Sequence, residues 1–199
     1  MNHVRLTIAT LLAAWTLGTA EMAVAQTADK PSTVNVLKSG VKKVRLFSPV
    51  NTPVDVAVID LTGNLLYQGT LRSLDKRGAL LNLVNLPDGR YFVTATNDGF
   101  WMSQGLTIRN DVVSVDAQNM TELTKPVLNT YAQNKYELVT PGVKELTVSI
   151  YDRMNDLVFS KSFGQGTTHR FDLSSLPAGD YTFVYGPSQK QFTERVAIK

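Results

Sequence analysis

The sequence predicts an all-β protein made of two tandem copies of one small β-sandwich repeat. Three observations predict it: an internal repeat through most of the chain, period-two alternation of apolar residues between closely spaced turn signals, and a Leu-Pro-x-Gly-x-Tyr element present once in each copy. Alternation at period two belongs to half-buried strands, and many short strands at regular spacing belong to a sandwich.

The repeat comes first, because it sets the organisation of the whole chain. Val54-Asp55-Val56-Ala57-Val58-Ile59-Asp60 aligns with Leu146-Thr147-Val148-Ser149-Ile150-Tyr151-Asp152, and at the same offset Leu65-Leu66-Tyr67 falls on Leu157-Val158-Phe159 and Ser48-Pro49 on Thr140-Pro141. After a deletion of two residues opposite the loop Ser73 to Gly78, Leu86 to Tyr91 aligns with Leu176 to Tyr181. Met102, Leu106 and Ile108 then meet Phe192, Val196 and Ile198, and Arg109 meets Lys199. The copies are therefore expected over residues 34–109 and 126–199.

In copy one the alternation marks strands near Val34–Leu37, Lys43–Phe47, Val54–Asp60, Leu65–Leu71, Ala79–Val84, Arg90–Thr96 and Met102–Ile108. Thr62-Gly63-Asn64 and Asn97-Asp98-Gly99 are turn sequences, with glycine expected to supply a positive φ cheaply. Residues 110–125 join the copies. They contain Val112, Val113 and Val115 and are expected to form a further strand or a packed crossover, with Pro126 stopping any helix. Domains this small bury little core each, so the copies are expected to pack on one another.

Residues 1–25 read as an export signal. His3 and Arg5 precede an apolar run from Leu6 to Ala20, and Ala23-Val24-Ala25 gives a small-residue cleavage site, placed after Ala25. The run is shorter than the roughly 20 residues a membrane span needs, and Glu21 closes it. No transmembrane segment is expected in the mature chain, which is expected to be secreted, periplasmic or at the outer surface. Residues 26–33 (QTADKPST) are polar and are expected to be a flexible lead-in.

Composition then limits the chemistry. The chain of 199 residues has no cysteine, so it carries no disulfide, thiol nucleophile or thiolate metal site, and no lipid-bearing cysteine follows the cleavage site. The formal charge of +3 survives loss of the signal, because Arg5 and Glu21 leave together, and it is scattered. Without a basic stripe, no nucleic acid is expected as a partner.

The most specific element is Leu-Pro-x-Gly-x-Tyr. Leu86, Pro87, Gly89 and Tyr91, and in copy two Leu176, Pro177, Gly179 and Tyr181, read as a structural corner where the chain passes between sheets. Proline fixes φ, glycine is expected to take a conformation other residues avoid, and tyrosine opens the next strand. The tyrosine hydroxyl is expected to bond backbone a few residues upstream.

With these residues in view, copy two resembles the C-terminal sorting domains of type IX secretion cargo. The likeness rests on Ser149-Ile150-Tyr151-Asp152, on the run from Phe171 to Tyr181, and on the final strand ending Val196-Ala197-Ile198-Lys199. Copy one resembles them through Val58 to Asn64 and its Leu-Pro corner. The resemblance implies an immunoglobulin-like sandwich, export across two membranes and attachment at the outer surface.

Little in the sequence points to catalysis or to a cofactor. His169 stands alone once His3 leaves with the signal, and in Thr167-Thr168-His169-Arg170 it reads as solvent-facing. One histidine without cysteine supplies neither a triad nor a zinc site. Asp60, Asp152 and Asp156 sit at hairpin turns, where aspartate caps its own turn, and no Asp-x-Asp-x-Asp ladder occurs. No catalytic residue, metal or cofactor is therefore assigned.

Trp101, with its neighbour Phe100, is the candidate binding residue. Alternation from Met102, Leu106 and Ile108 turns Trp101 off the core face, and its partner in copy two is Gln191. Trp101 is then either a platform for stacking a sugar ring or the contact that docks copy two. The function expected is non-catalytic: a binding surface for protein or envelope polymer. Alternatively, copy two is a type IX sorting signal, or Trp101 centres a carbohydrate-binding module.

Overall fold

The computed structural model describes residues 34–48, 51–72, 78–140 and 142–199. The expected signal (1–25) and lead-in (26–33), both prolines of the Ser48-Pro49 and Thr140-Pro141 alignment, and most of the loop from Ser73 to Gly78 lie outside these residues.

Every regular element among the described residues is a β-strand. The first half contains β1 (Asn35–Gly40), β2 (Lys43–Phe47), β3 (Val54–Asp60), β4 (Leu65–Leu71), β5 (Ala79–Asn82), β6 (Gly89–Thr96), β7 (Phe100–Arg109) and β8 (Val112–Thr124). The second contains β9 (Val127–Ala132), β10 (Lys135–Val139), β11 (Leu146–Tyr151), β12 (Leu157–Phe163), β13 (Thr168–Asp172), β14 (Gly179–Gly186) and β15 (Phe192–Ile198).

These strands build two sandwiches in tandem. In the first, sheet β1-β2-β5 packs against sheet β4-β3-β6-β7-β8; in the second, β13-β10-β9 packs against β12-β11-β14-β15. Strand pairing is antiparallel throughout. The alternation does what it should: Val54, Val56 and Val58 of β3, and Leu146, Val148 and Ile150 of β11, point inward while the residues between them stay more open. Full burial of one such side chain stabilises by roughly 1.5–3 kcal/mol.

The second core is filled by rings where the first uses smaller side chains. By the repeat alignment Tyr136 stands for Val44, Phe171 for Leu81, Phe183 for Val93 and Tyr185 for Ala95. Phe171 meets Phe163 and Phe183 edge-on, with centroids 5.8 and 5.6 Å apart. Such geometry sets the positive ring edge against the negative face.

Residues 110–125 are mostly strand. After a turn with Asn110 and Asp111 at positive φ, β8 pairs with β7 along its length. A register jump between Gln104 and Gly105 leaves Ala117, Gln118 and Asn119 unpaired as a bulge. Gln104 is buried beneath it, and its side-chain amide donates to the carbonyls of Asp116 and Asn119. Gly105 has no room for a side chain, since a Cβ there would lie 2.9 Å from the Asn119 amide.

Two expectations about glycine change. Gly63 takes φ 87° as its turn requires, and Asn155 takes φ 66° at the aligned position. Gly99 has no positive φ; its turn is held by Asn97 Oδ1, which accepts from the N–H groups of Gly99 and Phe100. Gly89 has none either, and a Cβ there would lie 3.2 Å from the Tyr91 hydroxyl, whereas its partner Gly179 does take a positive φ, 157°.

Candidate functional site

The corners lie where each chain leaves the three-stranded sheet for the larger one. The Tyr91 hydroxyl donates to the Pro87 carbonyl at 2.8 Å, and Tyr181 donates to Pro177 at 3.0 Å. Leu86 and Leu176 pack on their respective cores, and their N–H groups donate to Leu83 and Leu173 at 3.0 Å. Each of these groups is used inside the fold.

The turn aspartates are also used locally. Asp60 accepts bonds from Thr62 Oγ1, the side chain of Asn64 and the N–H groups of both, and these bonds lower its pKa to about 2. Asp152 accepts from the N–H groups of Met154 and Asp156 at 2.8 and 2.9 Å. Carboxylates held this way are turn caps.

His169 is not solvent-facing as expected. Its ring lies 4.5 Å from that of Phe163, its Nε2 is buried with no hydrogen-bond partner among the described residues, and desolvation holds its pKa below the ordinary value. β13 turns this side chain toward the end of β12, which the local sequence does not reveal.

Phe100 is corrected as well. It is 3% exposed and belongs to the first core, so it offers nothing to a ligand. The signal was available, because Phe100 shares the parity of Met102, Leu106 and Ile108. Gln104 has the same parity, and its burial could have been found in the same way.

Trp101 is half-buried and sits between Thr96 of β6 and Leu123 of β8 in the register of the sheet. Leu123 itself packs against the second core. Beyond it the Lys125 N–H donates to the Gly99 carbonyl at 2.8 Å, and Lys125 Nζ lies 3.0 Å from the Glu194 carboxylate. The fully buried Tyr185 places its hydroxyl 3.0 Å from the same carboxylate and 3.3 Å from the Pro126 carbonyl. Burial and the neighbouring carboxylate push the Tyr185 phenol well above its usual pKa, so it stays a proton donor.

These contacts leave a groove of about 520 Å³ at the junction. Trp101, Thr121, Glu122 and Leu123 line one side; Val143, Lys144, Glu145 and Thr147 come from the approach to and the start of β11, and Pro187, Ser188, Gln189 and Gln191 from the β14–β15 turn. Gln191 is fixed there by two 2.9 Å bonds from its amide to the carbonyls of Gly186 and Pro187. Trp101 and Gln191, aligned in the repeat, thus line one groove. An indole beside amides, hydroxyls and charges of both signs suits a ligand with one apolar face and a polar rim.

No protein-family model matches the chain, and no curated protein matches it. Among solved structures, the chain is similar at low identity to a biofilm-associated protein's BSP domain: 11% identity, TM-score 0.29, covering 84% of this chain and 29% of that one. A two-domain fibronectin type III segment of chicken tenascin has 12% identity and TM-score 0.28, covering 83% and 97% of the two chains. Extracellular domains 3–5 of Drosophila OTK have 14% identity and TM-score 0.23, covering 83% and 61%. This chain spans less than a third of the first of these. No helix among the described residues is long and apolar enough to cross a membrane.

Proposed function

We propose that the chain is a non-catalytic exported protein, secreted, periplasmic or at the outer surface after cleavage past Ala25, whose tandem sandwiches present a binding surface to a protein or an envelope polymer. The observation that carries the reading is the groove beside Trp101, which needs both copies for its walls. The titratable groups of the corners and turns serve the fold, and this supports the absence of catalysis.

Tryptophan fluorescence tests it directly. Besides Trp101 the chain has only Trp15, which leaves with the signal. Titration with soluble envelope polysaccharide, or with a candidate protein lacking tryptophan, is expected to shift the emission saturably, and Trp101→Ala, which leaves no tryptophan to report, is expected to abolish binding as read by titration calorimetry. A Trp101→Ala protein that melts earlier yet binds unchanged would make Trp101 a docking contact alone.

The likeness to type IX sorting domains supports a second reading, in which copy two is removed after export. The chain near Lys125 weighs against it: Lys125 is bonded through backbone and side chain, and Pro126 is buried. A protease needs an accessible extended segment, so cutting there requires the junction to open. Intact mass of the exported protein decides the matter. A chain from Gln26 to Lys199 supports two working sandwiches, and loss of everything after about Lys125 supports sorting.

A further inference from the structure

We infer that the outer edge of β15, with the groove between it and β9, is a strand-acceptor site for an extended segment of a different protein. This inference does not depend on the Trp101 groove, which lies elsewhere on the chain.

Copy one shows what fits such an edge. Val112–Asp116 pairs antiparallel with Gly105–Arg109, Val113 is fully buried and donates its N–H to the Val41 carbonyl at 2.7 Å, and Val115 packs on the core. The strand thereby closes the sandwich between β7 and β1.

The aligned place in copy two is a groove of about 440 Å³. Leu128 of β9, Tyr136 of β10 and Val196 of β15 form its apolar lining. Leu128 and Val196 are half-buried, whereas the residues aligned with them, Val36 and Leu106, are 7% and 1% exposed beneath β8. Among the described residues the second sheet ends at β15.

Backbone groups there already face outward. The Tyr136 hydroxyl donates to the Ala197 carbonyl at 3.2 Å, and Asn134 bonds both the N–H and the carbonyl of Lys199, at 3.1 and 2.8 Å. Residues 197 and 199 therefore turn away from β14, and alternation along an antiparallel strand turns Thr193 and Arg195 the same way. These positions carry the parity of Gly105, Thr107 and Arg109, which face β8.

The occupant follows from this lining. It is an extended segment with two valine-sized side chains at i and i+2, entering over Leu128 and Val196, and with an acidic residue near the exposed Arg195 and Lys199. The strand β8 has this character, with Val113 and Val115 followed by Asp116. A second copy fits poorly, because antiparallel pairing of β15 with itself about its centre brings Arg195 near its own mate, and like charges across strands repel.

The test uses the full exported chain, isotopically labelled, and a synthetic peptide with the sequence of residues 110–118 (NDVVSVDAQ). Saturable amide shifts and slowed hydrogen exchange are expected at Thr193, Arg195 and Ala197, and a scrambled peptide is expected to give none. Arg195→Glu is expected to weaken binding about tenfold. Tyr136→Phe keeps the ring, frees the Ala197 carbonyl and is expected to tighten binding. Shifts confined to β7 and β8, no shifts at β15, or equal shifts with the scrambled peptide would overturn the inference. Shifts at β15 that grow with protein concentration alone would make the occupant a second copy and overturn it as well.

Discussion

In the first sandwich the chain turns after Arg109 and lays β8 along β7; in the second, among the described residues, the side chains of Asn134 and Tyr136 bond the outer edge of β15. The two copies share strand order, corner bonds and turn caps, yet they solve the same edge by different means. A strand satisfies a run of backbone groups and buries its own alternate side chains, while the side chains of Asn134 and Tyr136 satisfy three groups. The second core makes up apolar volume with rings, and Tyr185 in place of Ala95 carries a hydroxyl that ties that core to Pro126. One repeat thus tolerates two ways of finishing a sheet when core volume and edge bonding change together.

A further parallel concerns the last strands. Gln104 and Glu194 are aligned, and each directs a polar side chain at the connecting segment: Gln104 at the bulge of β8, Glu194 at Lys125. The middle and the end of the segment between the copies are thus fastened by the same position of the repeat.

The two edges are expected to differ most under substitution at β8. Val113→Asp puts an unpaired carboxylate between β7 and β1 and is expected to cost about 3–4 kcal/mol in urea unfolding of copy one. Ala197→Asp on the exposed edge of β15 is expected to change stability by less than about 0.5 kcal/mol. Equal losses would mean that the two edges are closed equally well.

Leu123→Ala removes the side chain through which β8 enters the second core, at an expected cost of about 2 kcal/mol. Thermal unfolding is then expected to split into two transitions, read by near-ultraviolet signals from Trp101 in one copy and the tyrosines of the other. A single sharp transition would place the coupling elsewhere.

The shared corner sharpens the comparison from the other side. Tyr91→Phe and Tyr181→Phe each delete one hydroxyl-to-carbonyl bond and are each expected to cost about 1 kcal/mol. Values differing by more than about that amount would show that the corner carries different weight in the two copies.

The smallest effects are electrostatic, and they differ by copy. Asp60 titrates lower in the folded chain than in the unfolded one, so its contribution is complete above the ordinary carboxylate pKa near 4 and is lost as pH falls toward about 2. Asp60→Asn is expected to flatten that acid limb in copy one. His169 is held below its ordinary value of 6.5, so the unfolded state takes its proton more readily and stability declines as pH falls below 6.5. His169→Phe is expected to remove that slope from copy two, as measured by unfolding midpoints across a pH series.

Local pattern alone carried much of this structure. Alternation placed β2, β3 and β4 with the bounds observed, because strand periodicity and turn chemistry are properties of neighbouring residues. The repeat implied that both copies would share a plan, and the valines at 112, 113 and 115 pointed to a strand or a packed crossover, of which the structure has the strand. Its length was not legible, since the stretch from Asp116 to Asn119 reads as polar loop and only the free edge of β7 recruits the residues on either side of the bulge. The meeting of Trp101 and Gln191 on one groove joins residues far apart in the chain, the packing of His169 on Phe163 depends on how the sheets holding β13 and β12 come together, and the edge of β15 depends on which strands lie beside it. Which residues can be strands and which faces are apolar follow from neighbouring residues alone; which edges are closed and which side chains meet depend on how whole sheets come together.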